Sequence, residues 1–447
     1  MVRRRMKLDL ILTGTTEAIG FLLGKASGVT KNRGLQVGHK GKALEFGLVR
    51  STNSQAGDLT DDLSEQLADM ARRNQVKVSL ESNCGTSLPF RNSVNPWDWD
   101  INPWDWDINP WDWDISQTIP RLIPVGATAL EGELLFRQQK AFQISGLTDA
   151  TGERNQALSG HRGAGVVVGV FDTLPDHGVS KPWLTLHPYD GSLEAPQHMP
   201  ERDLSDHGLM IASLINAIAP DAQVHLYEVC GKDGYGSLYP LLEQLAAFIG
   251  YAAGRPAVIN LSLGSLCCGG NPSPALTALL QKATDLGMVV IAAAGNQAKS
   301  CVKPCNLPPA QMPAGMANVV AVAASNAADH RSTFSQRGDI AAYGGEDVGP
   351  VGPGDAEDII GMGDSVSGYV AMDGGTSFSA PLVAGGAVLA LADQLARGAV
   401  LGINTYKIVK AAIEAGARQP AGSGTGENLQ NDGLGAGILY LPGILGR

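Results

Sequence analysis

Residues 164–171 read A-G-V-V-V-G-V-F, and Asp172 and Thr173 follow directly. No polar residue interrupts the run. A strand with one wet face alternates apolar and polar residues, whereas a strand apolar at every position has both faces covered. Residues 288–293 and 319–323 share this character, and residues 223–229 and 257–263, although polar residues interrupt them, are read as buried strands too. Between them, residues 209–218, 238–252 and 274–286 carry apolar residues at helical spacing. Such alternation predicts an α/β fold, with a mostly parallel, doubly wound sheet covered by helices on both faces. In sheets of this kind ligands bind beyond the carboxyl ends of the strands. The residues that follow each strand are therefore the ones to inspect for chemistry.

Four of them stand out. Asp172 ends the first strand, in V-F-D-T. Taken alone it reads as a turn or cap aspartate. His207 lies in S-D-H-G-L-M, at the start of a predicted helix, and is one of eight histidines. Asn296 follows the strand in A-A-G-N, where asparagine after glycine is a common turn residue. Ser377 lies in G-G-T-S-F-S-A-P-L-V-A-G-G-A, a stretch of small residues opening a long apolar helix. The glycines permit close approach, and the helix start offers backbone N–H groups and positive dipole. A dinucleotide site is excluded, because the glycines at 160–165 precede the strand where such a site needs them after it.

The order Asp, His, Asn, Ser, each at a strand end or helix start, resembles the subtilisin-like serine proteases over roughly residues 160–440. The G-T-S-x-x-x-P-x-V-A-G segment around Ser377 carries most of the resemblance. A-A-G-N, V-F-D-T and D-H-G support it in the right order. Residues 258–264 (V-I-N-L-S-L-G) resemble the strand that lines the family's substrate cleft, and residues 433–438 resemble its final turn. Two positions depart from the pattern: Leu174 stands where the family usually has glycine, and Leu209 where it usually has threonine.

The resemblance implies a serine endopeptidase. Ser377 would be the nucleophile, His207 its base, Asp172 the group orienting His207, and Asn296 an oxyanion donor. Ser262, Leu263 and Gly264 would bind substrate, and the partners would be polypeptides. It also implies that calcium can bind, though no ligand cluster in the sequence marks a metal site. A sedolisin-type peptidase, which uses glutamate as base, is disfavoured by His207 in D-H-G. An α/β-hydrolase would need G-x-S-x-G, which does not occur. The alternative from another class is a catalytically silent scaffold on the same fold.

Composition bounds the rest. The 447 residues allow two or three domains, or one large domain with extensions. A formal net charge of −11 argues against nucleic acid or an anionic membrane surface as partner. No stretch supplies the ~18 uninterrupted apolar residues of a membrane span. Residues 1–94 read as a small α+β extension, with a strand over 42–49 and a helix over 61–73. Residues 95–115 are three copies of N-P-W-D-W-D-I. Proline after each asparagine favours extended backbone, so residues 95–118 read as an acidic linker. Tryptophan left in water keeps an aromatic docking strip open as a second reading.

Residues 119–447 form the peptidase domain with its lead-in. In the resembling family such N-terminal extensions are commonly prosegments that block the cleft, which implies the chain's own N-terminal segment as an inhibitor; the competing reading is a permanent N-terminal domain. The basic start M-V-R-R-R-M-K is followed by an apolar run that Asp9 breaks, so no standard signal peptide is expected. The clusters Cys267–Cys268 and Cys301–Cys305 suit disulfides and export. The two signals oppose each other and leave localisation open.

Overall fold

The computed structural model describes residues 10–26, 29–39, 42–51, 67–82, 85–87, 122–191, 193, 203–265, 272–298, 309–346, 358–420 and 433–445. The Trp-Asp repeat, the two cysteine clusters and residues 61–66 lie outside the described residues.

The N-terminal unit consists of β1 (Leu10–Gly14), α1 (Thr16–Lys25), β2 (Val29–His39), β3 (Lys42–Ser51), α2 (described over residues 67–73) and β4 (Val78–Ser82). Its four strands form an antiparallel sheet in the order β2-β3-β1-β4. Alternation along β1 sends successive side chains to opposite faces. Leu10 and Leu12 join Ile19, Leu22, Leu67 and Ala71 beneath the unit's own helices. Ile11, together with Phe46 of β3, joins the main core instead. Both faces of this small sheet are thus covered, the second by the body of the protein.

The N-terminal region ends its described part with β5 (Gly85–Ser87), and the body begins with β6 (Ile123–Pro124), α3 (Ala129–Gln138) and α4 (Lys140–Ile144). Then come β7 (Val167–Asp172), β8 (Leu184–His187), α5 (His207–Ile218), β9 (Gln223–Glu228), β10 (Tyr235–Ser237), α6 (Leu238–Tyr251), β11 (Ala257–Leu261) and β12 (Gly264–Ser265). It closes with α7 (Pro274–Asp285), β13 (Val289–Ala293), β14 (Val320–Ser325), β15 (Ile340–Tyr343), β16 (Ile359–Met362), β17 (Tyr369–Met372), α8 (Thr376–Ala396), α9 (Thr405–Gly416) and α10 (Leu441–Ile444).

Seven strands make one parallel sheet in the order β15-β14-β13-β11-β7-β9-β8. Helices α5 and α8 pack together on one face, and α6 and α7 on the other. The α/β expectation holds, and the five strands anticipated from apolar runs are all present. The chain builds from β7 to β9 and β8 on one side, then crosses to β11 on the other. The switch point therefore lies at β7, whose last residue is Asp172. Helix α8, with 21 residues, is long and apolar enough to cross a membrane, but 83 % of its apolar window is buried in the protein core.

The β8–β9 edge carries a titratable pair. His187 Nε2 and His225 Nδ1 are 3.0 Å apart, and the His187 ring stacks on Tyr227 at 4.1 Å. Burial first, then His187 and Arg255, pushes His225 down to about 4; burial also lowers His187. The unfolded chain takes up a proton on His225 near pH 6.5 that the folded protein refuses until about pH 4. Stability is therefore complete above pH 6.5 and declines as pH falls through that window, by roughly 2–3 kcal/mol at its foot. Urea unfolding at pH 7 and pH 4.5 should show this loss in the wild type and a smaller one in His225→Gln. Equal losses in both would place the acid sensitivity elsewhere.

Candidate active site

Asp172 is fully buried at the end of β7. Its Oδ1 lies 2.8 Å from His207 Nδ1 and accepts the backbone N–H of Thr173 at 2.8 Å. Its Oδ2 is buried with no hydrogen-bond partner. That oxygen's charge is left for the imidazole to balance.

His207 is the first residue of α5 and is 1 % exposed. Thr173 braces it from beneath: the hydroxyl reaches the carbonyls of Leu204 (2.9 Å) and Ser205 (3.0 Å) and accepts the N–H of Gly208 at 3.1 Å. The start of α5 sits so close to the end of β7 that the Thr173 carbonyl oxygen occupies the place of a side chain at position 208. Glycine after His207 is therefore a steric requirement. Leu209 is buried and Leu174 packs partly buried against the core, so both departures from the family pattern are absorbed as packing residues. Beside His207, Asp206 is raised above the ordinary carboxylate range by burial. The N–H of Asp364, at 2.5 Å, and His177 oppose that shift.

Ser377 is the second residue of α8 and is 2 % exposed; its Oγ lies 3.3 Å from His207 Nε2. The Phe378 ring tilts against the imidazole at 5.2 Å. Pro381 stands four residues on, inside the helix. Proline has no N–H to return to the carbonyl of Ser377, and the Ser262 hydroxyl donates there instead, at 2.7 Å. Ser262 is itself held by Asn260 Nδ2 at 3.0 Å. The proline of G-T-S-x-x-x-P and the serine of L-S-L-G thus form one device that fixes the backbone of Ser377.

Asn296 follows β13 and is 1 % exposed. Its Oδ1 accepts from the N–H of Thr376 at 3.0 Å and from the Thr376 hydroxyl at 2.8 Å. These two bonds fix the amide orientation and leave Nδ2 as its donor end.

The three residues expected to bind substrate separate. Ser262 and Leu263 are buried, and Ser262 acts on the Ser377 carbonyl. Gly264 lies in β12, where it pairs with Ser87 of β5. On its other side β5 pairs with β10, Ser87 opposite Tyr235 and Gly85 opposite Ser237. A segment of the N-terminal region therefore lies as the middle strand between two strands of the body. Arg33 of β2 reinforces this docking. It bonds Tyr189 Oη (3.1 Å) and Asp190 Oδ1 (2.8 Å) and pairs with Glu243 of α6 (3.1 Å). Burial raises the Glu243 carboxyl. Sequence reasoning anticipated neither Thr173 as a brace nor Arg33 as a contact, since each acts only through the fold.

Among the described residues no group of three or more histidine, cysteine or acidic side chains is placed to hold a metal ion. The calcium implied by resemblance finds no fitting site there, and no step below runs through it.

The chain belongs to the subtilase family, whose sequence profile matches residues 163–437, and it is accordingly a hydrolase, a subtilisin-like serine endopeptidase. It is 32 % identical over 254 residues to subtilisin BL of Lederbergia lenta, spanning 53 % of this chain and 81 % of that protein. To subtilisin E of Bacillus subtilis (strain 168) it is 29 % identical over 242 residues, 52 % of this chain and 57 % of that one. The structure of a lanthipeptide protease superposes with a TM-score of 0.51 at 22 % identity, over 72 % of this chain and 98 % of that one. At that identity the likeness speaks to fold alone.

Proposed function

We propose that Ser377 attacks the scissile peptide carbonyl, with His207 as base, Asp172 orienting it and Asn296 receiving the oxyanion. The observation that carries this reading is the imidazole of His207 bridging Asp172 at 2.8 Å and Ser377 at 3.3 Å, the three groups arriving from β7, α5 and α8. His207 takes the serine proton and returns it to the leaving amine. Asp172 stabilises the imidazolium that forms between the two transfers. The Nδ2 of Asn296 and the backbone N–H of Ser377 meet the negative oxygen, and water then hydrolyses the acyl-enzyme. The silent-scaffold alternative has no observation in its favour.

Asn296→Ala tests the oxyanion role. Turnover should fall about 10²–10³-fold, a figure carried over from subtilisin, while KM changes little. The variant should also lose about 1–3 kcal/mol of stability, because the buried N–H of Thr376 loses its acceptor. A raised KM with turnover intact would make Asn296 a substrate-binding residue.

The pairing of β5 supports a second reading about the same cleft. In it residues 1–94 are a built-in inhibitor, residues 95–118 a connector and residues 119–447 the peptidase domain. Antiparallel pairing directs β5 from Ser265 toward Gly264 as it runs from Thr86 to Ser87, hence toward Ser262 and Ser377. A segment held this way has the backbone direction of a substrate approaching the nucleophile.

A further inference from the structure

One group of residues next to Asn296 takes no part in acyl transfer. Strands β11 and β13 are neighbours in the sheet, so the segments leaving their carboxyl ends run side by side. Gly264 lies on one of these segments and Gly295, directly before Asn296, on the other. One side chain stands in the gap between them. A methyl group built on Gly264 would stand 2.6 Å from Gln311 Oε1, and one built on Gly295 would stand 2.8 Å from the same oxygen. The backbone of Gln311 is anchored: its N–H donates to the Ala294 carbonyl and its carbonyl accepts from Gly315, both at 2.8 Å. Its side chain is half-buried, and its amide bonds to no described residue.

Behind it lies Gln336, 4 % exposed. Its Nε2 donates to the Pro309 carbonyl at 2.5 Å, which settles which end of the amide is oxygen. Its Oε1 faces Gly295 and is buried without a hydrogen-bond partner. Two amide oxygens without a hydrogen-bond partner among the described residues therefore converge on Gly295.

A peptide that took the place of β5 beside Gly264 and presented its carbonyl to Asn296 would bring the side chain of the cleaved residue against Gln311, at the mouth of this gap. We propose that Gln311, backed by Gln336, makes the gap a polar, uncharged specificity pocket for side chains that donate an N–H hydrogen bond, glutamine above all. This rests on the reading of Ser377 and Asn296 given above and deepens it. An apolar side chain of equal length would desolvate the Gln311 oxygen and return nothing. A hydrogen bond lost in this way is worth about tenfold in kcat/KM.

The test uses two peptides that differ only at the residue before the scissile bond, glutamine in one and methionine in the other. The wild type should prefer the glutamine peptide by about tenfold in kcat/KM. Gln311→Met, similar in length, should bring the ratio to about one, and Gln311→Glu should turn preference toward a lysine peptide. A wild-type ratio near one, or a ratio unchanged in Gln311→Met with lysine no better in Gln311→Glu, would overturn the proposal. Casein hydrolysis that depends on Ser377 but shows no glutamine preference would sink this inference and leave the triad standing. A wild type that cleaves neither peptide nor casein would overturn both.

Discussion

Ser377→Ala should reduce casein hydrolysis on the order of 10⁶-fold, the scale known for loss of the corresponding serine in subtilisin. The fold should be unaffected. The serine Oγ contributes one long contact, 3.3 Å to His207, and the bond that fixes this turn goes to the backbone carbonyl from Ser262. Alanine keeps that carbonyl, the helix and nearly all the volume. The thermal midpoint should therefore match wild type while activity disappears. Hydrolysis at the wild-type rate would remove Ser377 from the mechanism.

The second large effect is all-or-none. If β5 is an autoinhibitory strand, the wild type should shorten itself when expressed and Ser377→Ala should stay full length. The structure adds a position to this expectation. Ser87 pairs with Gly264, two residues from Ser262, and β5 itself is directed toward the nucleophile. At about 3.3 Å per residue, the bond that reaches Ser377 falls within about five residues past Ser87. The new N-terminus of the shortened product, read by mass spectrometry, should lie there. Wild type and variant both remaining full length, with the wild type active, would make the N-terminal unit a permanent domain. A new N-terminus far downstream, beyond the Trp-Asp repeat, would dissociate cleavage from the β5 pairing.

The centre of the parallel sheet was legible because strands there are apolar on both faces. Residues 167–172 and 289–293 cannot be mistaken for half-exposed strands, and a continuous apolar run carries that information locally. β8 was missed: Leu184–His187 is an edge strand with no fully buried residue, so its sequence lacks the signal. β15 was missed because I-A-A-Y is short and its alanines suit a helix equally well. Among the site residues, Ser377 was legible through its surroundings, since proline four residues on has a structural reason to be there. The braces were not legible. Thr173 touches residues more than 30 positions away, Arg33 binds residues more than 150 positions away, and Gln311 belongs to the site only because β11 and β13 are adjacent. Such roles depend on which strand lies beside which, and local periodicity does not encode that.

The central claim is that Ser377 is a nucleophile activated by His207. Its most direct measurement is covalent labelling with a fluorophosphonate, followed by peptide mapping. The account predicts one stoichiometric adduct, on the peptide that contains Ser377. It should be lost in Ser377→Ala and strongly slowed in His207→Ala with the fold intact. No adduct on Ser377 in a folded protein that nevertheless hydrolyses casein, or an adduct that forms equally fast without His207, would contradict it.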